Sequence, residues 1–410
     1  MLSKLNITNV DAYHLYLFIK GIQEFAFEIA FTVIIVYQVT VVGLNVFELV
    51  LVGTVLEITV FLLEIPTGVI ADVFSRRLSV ILGYLLLGIG IIIEGIFPIF
   101  AIIIVANMVD GVGHTLLSGA TSAWLVDEIG QERASNAFLR GSQVTQVTSV
   151  LGIIVSVMLA SINIQLAIVT GGVLLVLLSF VLMLIMPENG FQRVPKSERE
   201  SWSDLFSTFR AGAKLVRGRR VLLTILLIAL IYGAFTEGFD RLWTAHILTN
   251  FTLPSLGQFD EIVWFGIINA VFMPITLLAT EIVRRRVDLT SNHAITRVLR
   301  YVYAGMILSV LLFTLGEHFG LVLMGLWITG TLRTVAYPLM ESWINQHTDS
   351  NVRATVLSIW GQTDALGQIA GGPVVGAIGV LTGVRVAITI SALMITPLII
   401  VFNRTLKSES

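Results

Sequence analysis

The chain has 410 residues, of which 56% are hydrophobic and only 13% charged, and its mean hydropathy is +0.90. Ordinary globular domains carry about 25% charged residues, so this much apolar side chain cannot be hidden by a water-soluble fold. The net charge of −2 gives no reason to expect a nucleic-acid partner, and the absence of cysteine excludes disulfides, thiolate metal sites and catalytic thiols.

Crossing a hydrocarbon layer takes roughly 20 helical residues, more when the helix tilts. Twelve stretches meet that length, and they predict an all-α integral membrane protein. In the first half they run from His14 to Thr40, Phe47 to Val73, Leu78 to Ile96, Ile99 to Glu128, Ala134 to Ser161 and Ile164 to Met186. In the second half they run from Val221 to Asn250, Ile262 to Val283, Val298 to Leu315, His318 to Ile344, Val352 to Leu381 and Val386 to Phe402. These are spans 1 to 12. The first is read as a retained helix, because it carries its own charges and lacks the form of a removable leader.

Three domains follow: residues 1–187 as a first six-span half, 188–220 as a central polar loop, and 221–410 as a second half. Within the loop, Trp202, Leu205, Phe206, Phe209, Ala213 and Val216 recur at helical spacing among bases. That pattern predicts an amphipathic helix at a lipid surface, with a basic linker held near anionic lipid as the equal alternative. The halves share a register. Trp124 and Trp343 hold equivalent places near the ends of spans 4 and 10. At a nearly constant offset, Arg133-Ala134, Gly141 and Gly152 reappear in the second half as Arg353-Ala354, Gly361 and Gly372. Such repeats predict two pseudo-symmetric six-helix halves.

Basic residues favour cytoplasmic loops. Of the 25 Lys and Arg, Lys20, Arg241 and Arg333 lie inside spans and Arg385 lies in the loop between spans 11 and 12. All others fall at the termini, in loops 2–3, 4–5, 6–7, 8–9 and 10–11, or at the adjoining helix ends, which puts both termini on the cytoplasmic side.

At the end of span 2 the chain reads Gly68-Val-Ile-Ala-Asp72-Val-Phe-Ser75-Arg76-Arg77. This resembles the loop 2–3 signature of the major facilitator superfamily, with Val73 in place of a base and Ser75 in place of a glycine. Glu64-Ile-Pro66-Thr-Gly68 and Ser118-Gly-Ala-Thr-Ser-Ala-Trp124-Leu-Val-Asp127-Glu128 are similar to segments of bacterial macrolide- and tetracycline-type efflux proteins. The exporter pattern R-x-x-Q-G-x-G of span 4 is replaced by Asn107-Met-Val-Asp110-Gly111-Val-Gly113, and a Gly-Gly-Pro run stands in span 11, at Gly371 to Pro373, instead of span 5.

The resemblance implies the twelve-helix major facilitator fold, a bacterial cytoplasmic membrane location, and alternating access of a central cavity lined by spans 1, 4, 7 and 10. It implies a gate at Gly68, Asp72, Arg76, Arg77, Asp127 and Arg133. There, small Gly68 permits close helix packing, Asp72 faces a helix N-terminus, and an arginine pairs with Asp127 or Glu128.

Charge deep in a span is costly and usually faces a cavity or a partner. Glu24 and Glu28 share a face of span 1, and Asp110 and His114 a face of span 4, by their i, i+4 spacing. These four are the candidates for proton coupling. Phe31, Glu237, Asp240, Arg241, Arg333, Tyr337, Trp360 and Asp364 are the candidates for a substrate cavity. Shifting Arg333 back by the interval between Trp124 and Trp343 lands on His114. Glu64 is expected to support the gate, and Glu94, near an end of span 3, to be solvated.

The function expected is proton-coupled efflux of amphipathic drugs or small organic molecules. Uptake of a small metabolite with protons and a non-transporting membrane sensor are the alternatives. No enzyme chemistry, cofactor or metal is expected, and no phosphate loop for ATP is present in the sequence. Partners are a small-molecule substrate, protons and membrane lipid, with a monomer expected. Reporter fusions should place Arg199 and Arg285 on the cytoplasmic side; either one outside overturns the topology.

Overall fold

The computed structural model describes residues 10–192, 220–256, 261–348 and 353–409. The amphipathic helix expected at Trp202 to Val216 lies outside the described residues. No strand occurs among the described residues, and every span is helical.

Eleven helices among the described residues are long and apolar enough to cross a membrane. The helix Ala12–Phe31 that opens span 1 is not one of them. Lys20, Glu24 and Glu28 sit in every 18-residue window of it, which is what sets it apart from the others. Exposure is inverted relative to a water-soluble protein. Leu308, Leu278 and Leu184 are 67%, 66% and 60% exposed on their spans, while Thr296, Thr329, Ser156 and Ser179 are buried. Lipid chains rather than water suit such a surface.

Three spans are broken. Span 1 stops at Phe31 and resumes as Ile34–Thr40, within a β-branched run from Thr32 to Val36 that disfavours helix. Span 4 stops at Leu117 and resumes as Ala120–Ile129, with Gly119 at φ +69° between them; that left-handed turn favours glycine. Span 12 divides into Val384–Met394 and Thr396–Glu409, where Pro397 fits only a first helical turn.

Hydropathy also places some ends too late. Span 9 begins at Asn292, ahead of its apolar run, because the Ser291 hydroxyl caps it by accepting from the Ala294 N–H at 3.3 Å. Span 5 likewise begins at Gln131, ahead of its apolar stretch.

The chain forms two compact units. One takes in Met1–Gly43, Val55–Leu205 and Leu256–Gly266; the other takes in Leu44–Thr54, Phe206–Ser255 and Ile267–Ser410. In the first unit span 1 packs on spans 5 and 6, and span 3 on spans 4 and 6. In the second, span 7 packs on spans 11 and 12, and span 9 on spans 10 and 12. Adding six to each member of the first set gives the second, so one packing scheme is used twice.

Small residues set how closely these helices approach. A Cβ at Gly172 would stand 2.7 Å from the Gly88 carbonyl oxygen, and one at Gly88 would stand 2.5 Å from that of Gly172. Without a hydrophobic drive inside lipid, such backbone contact is a main source of helix attraction. Gly172→Leu should therefore separate spans 3 and 6 and cost about 1–3 kcal/mol or more. Gly320→Leu, where an added Cβ meets nothing within 4 Å, should change little. Thermal unfolding of the purified variants in one detergent checks the contrast.

Candidate functional site

Each unit holds a polar cavity of its own. In the first unit a cavity of about 510 Å³ is lined from span 1 by Lys20, Gln23 and Phe27, and from span 2 by Glu57 and Glu64. Tyr84 of span 3 closes one side, and span 4 supplies His114, Ser118, Gly119, Thr121 and Ser122. The break in span 4 thus opens onto this space. Gln23 organises one wall: its Oε1 accepts from the Tyr84 hydroxyl at 2.8 Å and from Lys20 Nζ at 3.5 Å.

The four proton-coupling candidates separate. His114 lies on the cavity wall with its ring 6.0 Å from that of Phe27. Asp110 is buried behind it, with Oδ2 3.7 Å from His114 Nε2. Glu28 is turned towards span 5, where its Oε1 accepts from the Ser149 hydroxyl at 2.6 Å and its Oε2 from Thr32 at 3.3 Å. Glu24 is half-buried and outside the cavity lining.

In the second unit a cavity of about 460 Å³ is lined by Tyr232, Thr236, Asp240, Phe272, Arg333, Tyr337, Asp364 and Gln368, among others. Arg333 of span 10 makes a forked pair with Asp240 of span 7, closing both Nη1 to Oδ1 and Nη2 to Oδ2, the latter at 2.7 Å. Such two-pronged geometry is the strong form of the interaction. Gln368 donates to the Asp364 carboxylate at 2.9 Å.

Not every residue expected at the cavity reaches it. Glu237 is buried and lies 3.4 Å from Arg241 Nε on the same helix, away from the lining. Trp360 packs its ring 5.6 Å from Tyr337 in a small apolar recess, and Phe31 is 42% exposed, lining neither cavity. His114 and Arg333, which the repeat makes equivalent, each face the cavity of their own unit.

At the loop 2–3 motif, Arg76 Nη1 sits 2.5 Å from Asp127 Oδ2, and Nη2 sits 3.7 Å from Asp72 Oδ1. Arg77 points elsewhere and donates to the Met183 carbonyl at 2.6 Å. Arg133 is exposed on the first turn of span 5 and makes no described ion pair with the cluster. Among the described residues, a Cβ at Gly68 would meet nothing within 4 Å.

Glu94 departs most from the sequence reading. It is buried rather than solvated, because donors from spans 1 and 4 surround it. Gln38 Nε2 donates to Oε1 at 2.6 Å, Asn107 Nδ2 to Oε2 at 2.9 Å, and the Tyr37 hydroxyl to the backbone carbonyl at 2.9 Å. Gln23, Glu57, Tyr84 and Gln368 were also not among the site residues read from the sequence. Of these, only Glu57, a charge in the middle of span 2, carried a signal visible before folding.

Twelve spans in two repeated units, each with a polar cavity inside an apolar exterior, define a membrane transporter fold. The chain belongs to the Major Facilitator Superfamily, which matches residues 16–332. It is 21% identical over 360 residues to an uncharacterized MFS-type transporter of Bacillus subtilis, YxaM, with 85% of each chain covered. Among solved structures it is similar to the nucleoside transporter NupG, with a TM-score of 0.72, 16% identity, and coverage of 96% of this chain and 99% of that one. A POT family transporter bound to a thioalcohol-conjugated peptide has a TM-score of 0.72, 15% identity and 96% coverage of both chains. The human organic anion transporter MFSD10 has a TM-score of 0.62, 14% identity, and coverage of 95% of this chain and 98% of that one.

The Asp240–Arg333 pair has an energetic signature. Removing one partner leaves the other charge uncompensated, whereas removing both does not. Asp240→Asn and Arg333→Gln should each lower the melting temperature, and the double variant should lose less than their sum, by about 1 kcal/mol or more. A double-mutant cycle in detergent measures that coupling.

Proposed function

We propose that this chain is a proton-coupled exporter of small amphipathic organic cations, working by alternating access as a monomer in a bacterial cytoplasmic membrane with both termini inside. The observation that carries this reading is the composition of the first unit's cavity. Glu57, Glu64 and His114 share it with Lys20 and the rings of Phe27 and Tyr84, so its carboxylates outnumber its one ammonium. Carboxylates and aromatic faces together attract an organic cation, and a charge in such a site is tolerable only while it has a partner.

His114 with Asp110 at 3.7 Å is then the proton site. A carboxylate behind a titrating imidazole holds its orientation and compensates its charge. A proton arriving at His114 raises the positive charge of the wall, and a cation arriving at Glu57 does the same, so the two compete. Competition of this kind is antiport. Glu28, held by Ser149 and Thr32, acts as a tie between spans 1 and 5. The Asp72–Arg76–Asp127 cluster is the gate, since its ion pairs join the ends of three spans and break without touching substrate.

Uptake of a polar solute with protons is the second reading. The second unit's cavity favours it, because its charged and amide groups at Asp240, Arg333, Asp364 and Gln368 suit hydrogen bonding to a hydrophilic molecule. Proteoliposomes with an imposed pH gradient separate the two, using tetraphenylphosphonium as the cationic probe and uridine as the polar one. Export predicts accumulation of the cation against the proton flow. Asp110→Asn and His114→Asn should abolish that accumulation while sparing downhill flux, and Glu28→Gln should retain it. Accumulation of uridine with the proton flow, and none of the cation, would replace this reading by uptake. Asp72→Asn and Arg76→Ala should slow flux of either probe about tenfold or more while leaving binding intact, if a lost charge-assisted contact is worth about 1.5 kcal/mol to the closed state.

A further inference from the structure

Where span 6 ends, the chain does not leave the first unit directly. It crosses the feet of spans 3 and 4 as a short strap, Pro187 to Gly190, tied at each residue. The Trp124 indole N–H donates to the Pro187 carbonyl at 2.7 Å. The Glu188 carboxylate accepts from the Ser75 hydroxyl at 2.9 and 2.8 Å and from the Arg77 N–H at 2.9 Å. The Glu128 carboxylate accepts from the N–H groups of Asn189 and Gly190, at 2.6 and 2.8 Å. Gly190 is pressed against the Asp127 backbone, where no larger residue fits.

These ties bracket the Arg76–Asp127 pair. Glu188 holds the residues on either side of Arg76, at the N-terminus of span 3, where an anion is also favoured by the helix dipole. Glu128 and Trp124 hold the last turns of span 4, on either side of Asp127. The Arg76 side chain is only 17% exposed, so its direction depends on where those two backbones stand. The second unit supplies a comparison. Trp343 repeats Trp124 at the foot of span 10, and its buried indole N–H has no hydrogen-bond partner among the described residues. Among the described residues, the tie that Trp124 makes to the strap has no counterpart at Trp343.

We propose that Glu188, Trp124 and Glu128 are positioning residues for the gate, fastening the exit of span 6 across spans 3 and 4 so that Arg76 is presented to Asp127. The inference rests on the gating role proposed above for that pair. With the strap in place the pair is held in register. With it released, the first turn of span 3 is free to turn and the gate loosens even though Asp72, Arg76 and Asp127 are all present.

The native chain contains no cysteine, so Ser118→Cys at the break in span 4 gives a single thiol in the cavity of the first unit. Maleimide labelling from the side of the basic loops then reads gate opening, and amide exchange at Arg77 reads the strap, both in the full-length protein. In Glu188→Ala, exchange at Arg77 should rise about tenfold, as for loss of a hydrogen bond to a charged acceptor, and labelling should rise to the level of Asp127→Asn. Glu188→Gln, which keeps an acceptor oxygen, should restore much of both. Combining Glu188→Ala with Asp127→Asn should label no faster than Asp127→Asn alone. Trp124→Phe, which keeps the ring and loses the donor, repeats the test should Glu188→Ala not fold. Native labelling in the strap variants, despite faster Arg77 exchange, overturns the proposal, as does an additive double variant. Native labelling in Asp127→Asn itself overturns the gate first, and this inference with it.

Discussion

A charge in hydrocarbon must be sheltered by protein, and span 1 shows how far that requirement shapes the fold. Its opening helix carries Lys20, Glu24 and Glu28 within its 20 residues, too many for a helix surrounded by lipid. It is accommodated because spans 5 and 6 cover it and because Tyr84 of span 3 reaches Gln23. Gly152 of span 5 stands so close to Glu28 that an added Cβ would be 2.6 Å from the glutamate's own. That closeness brings Ser149 within 2.6 Å of the carboxylate. The glycine and the serine act together: one permits the approach, the other supplies the donor.

The same requirement explains why polar groups within the spans either line one of the two cavities or are paired inside the protein, as Glu28, Glu94 and Glu237 are. Each repeated unit exposes leucines outward and collects its ionisable groups on the inner faces of its own spans. The repeat conserves a packing scheme but not its chemistry. His114 in one cavity is answered by Arg333 in the other, an imidazole in the first place and a permanently charged guanidinium in the second. Gly119, which breaks span 4, is answered at the same offset by Pro338 within span 10. Both residues weaken a helix at the same level, by different means: glycine by adopting a left-handed turn, proline by removing a backbone donor.

Much of this architecture was legible in the sequence because hydropathy summed over the length of a span is a strong signal. The number of spans followed from it directly. Their ends were less legible, since Asn292 to Arg297 is polar and joins span 9 through a cap at Ser291 that hydropathy does not register. The break at Thr32 was missed because the apolar run continues across it, and the one at Ser118 because the short small-residue stretch from Ser118 to Ala123 is lost when hydropathy is summed over a whole span. At the site, the neighbours in sequence were readable and the neighbours in space were not. Asp110 and His114 meet by helical spacing alone. Glu94 was misjudged because distance from a helix end says nothing about Gln38 and Asn107, which reach it from other spans. Gln23 and Tyr84, on different spans and far apart in the chain, form a wall that no local pattern announces.

The break at Ser118 and Gly119 has one further consequence, for how span 4 carries load. Asp110 and His114 lie on the segment before it, and Trp124 and Asp127 on the segment after it. A continuous helix would move as a rod, transmitting any displacement of its upper half to its lower half. A rod cut by a single left-handed glycine behaves as two levers on a common pin, each free to tilt by its own contacts. The upper lever is seated against spans 2 and 3, where Gly111 meets Thr59 and Gly113 meets Leu87; the lower one is bound to span 3 by Arg76. Stiffening the pin, by replacing Gly119 with a residue that resists its backbone angle, would weld the two motions into one.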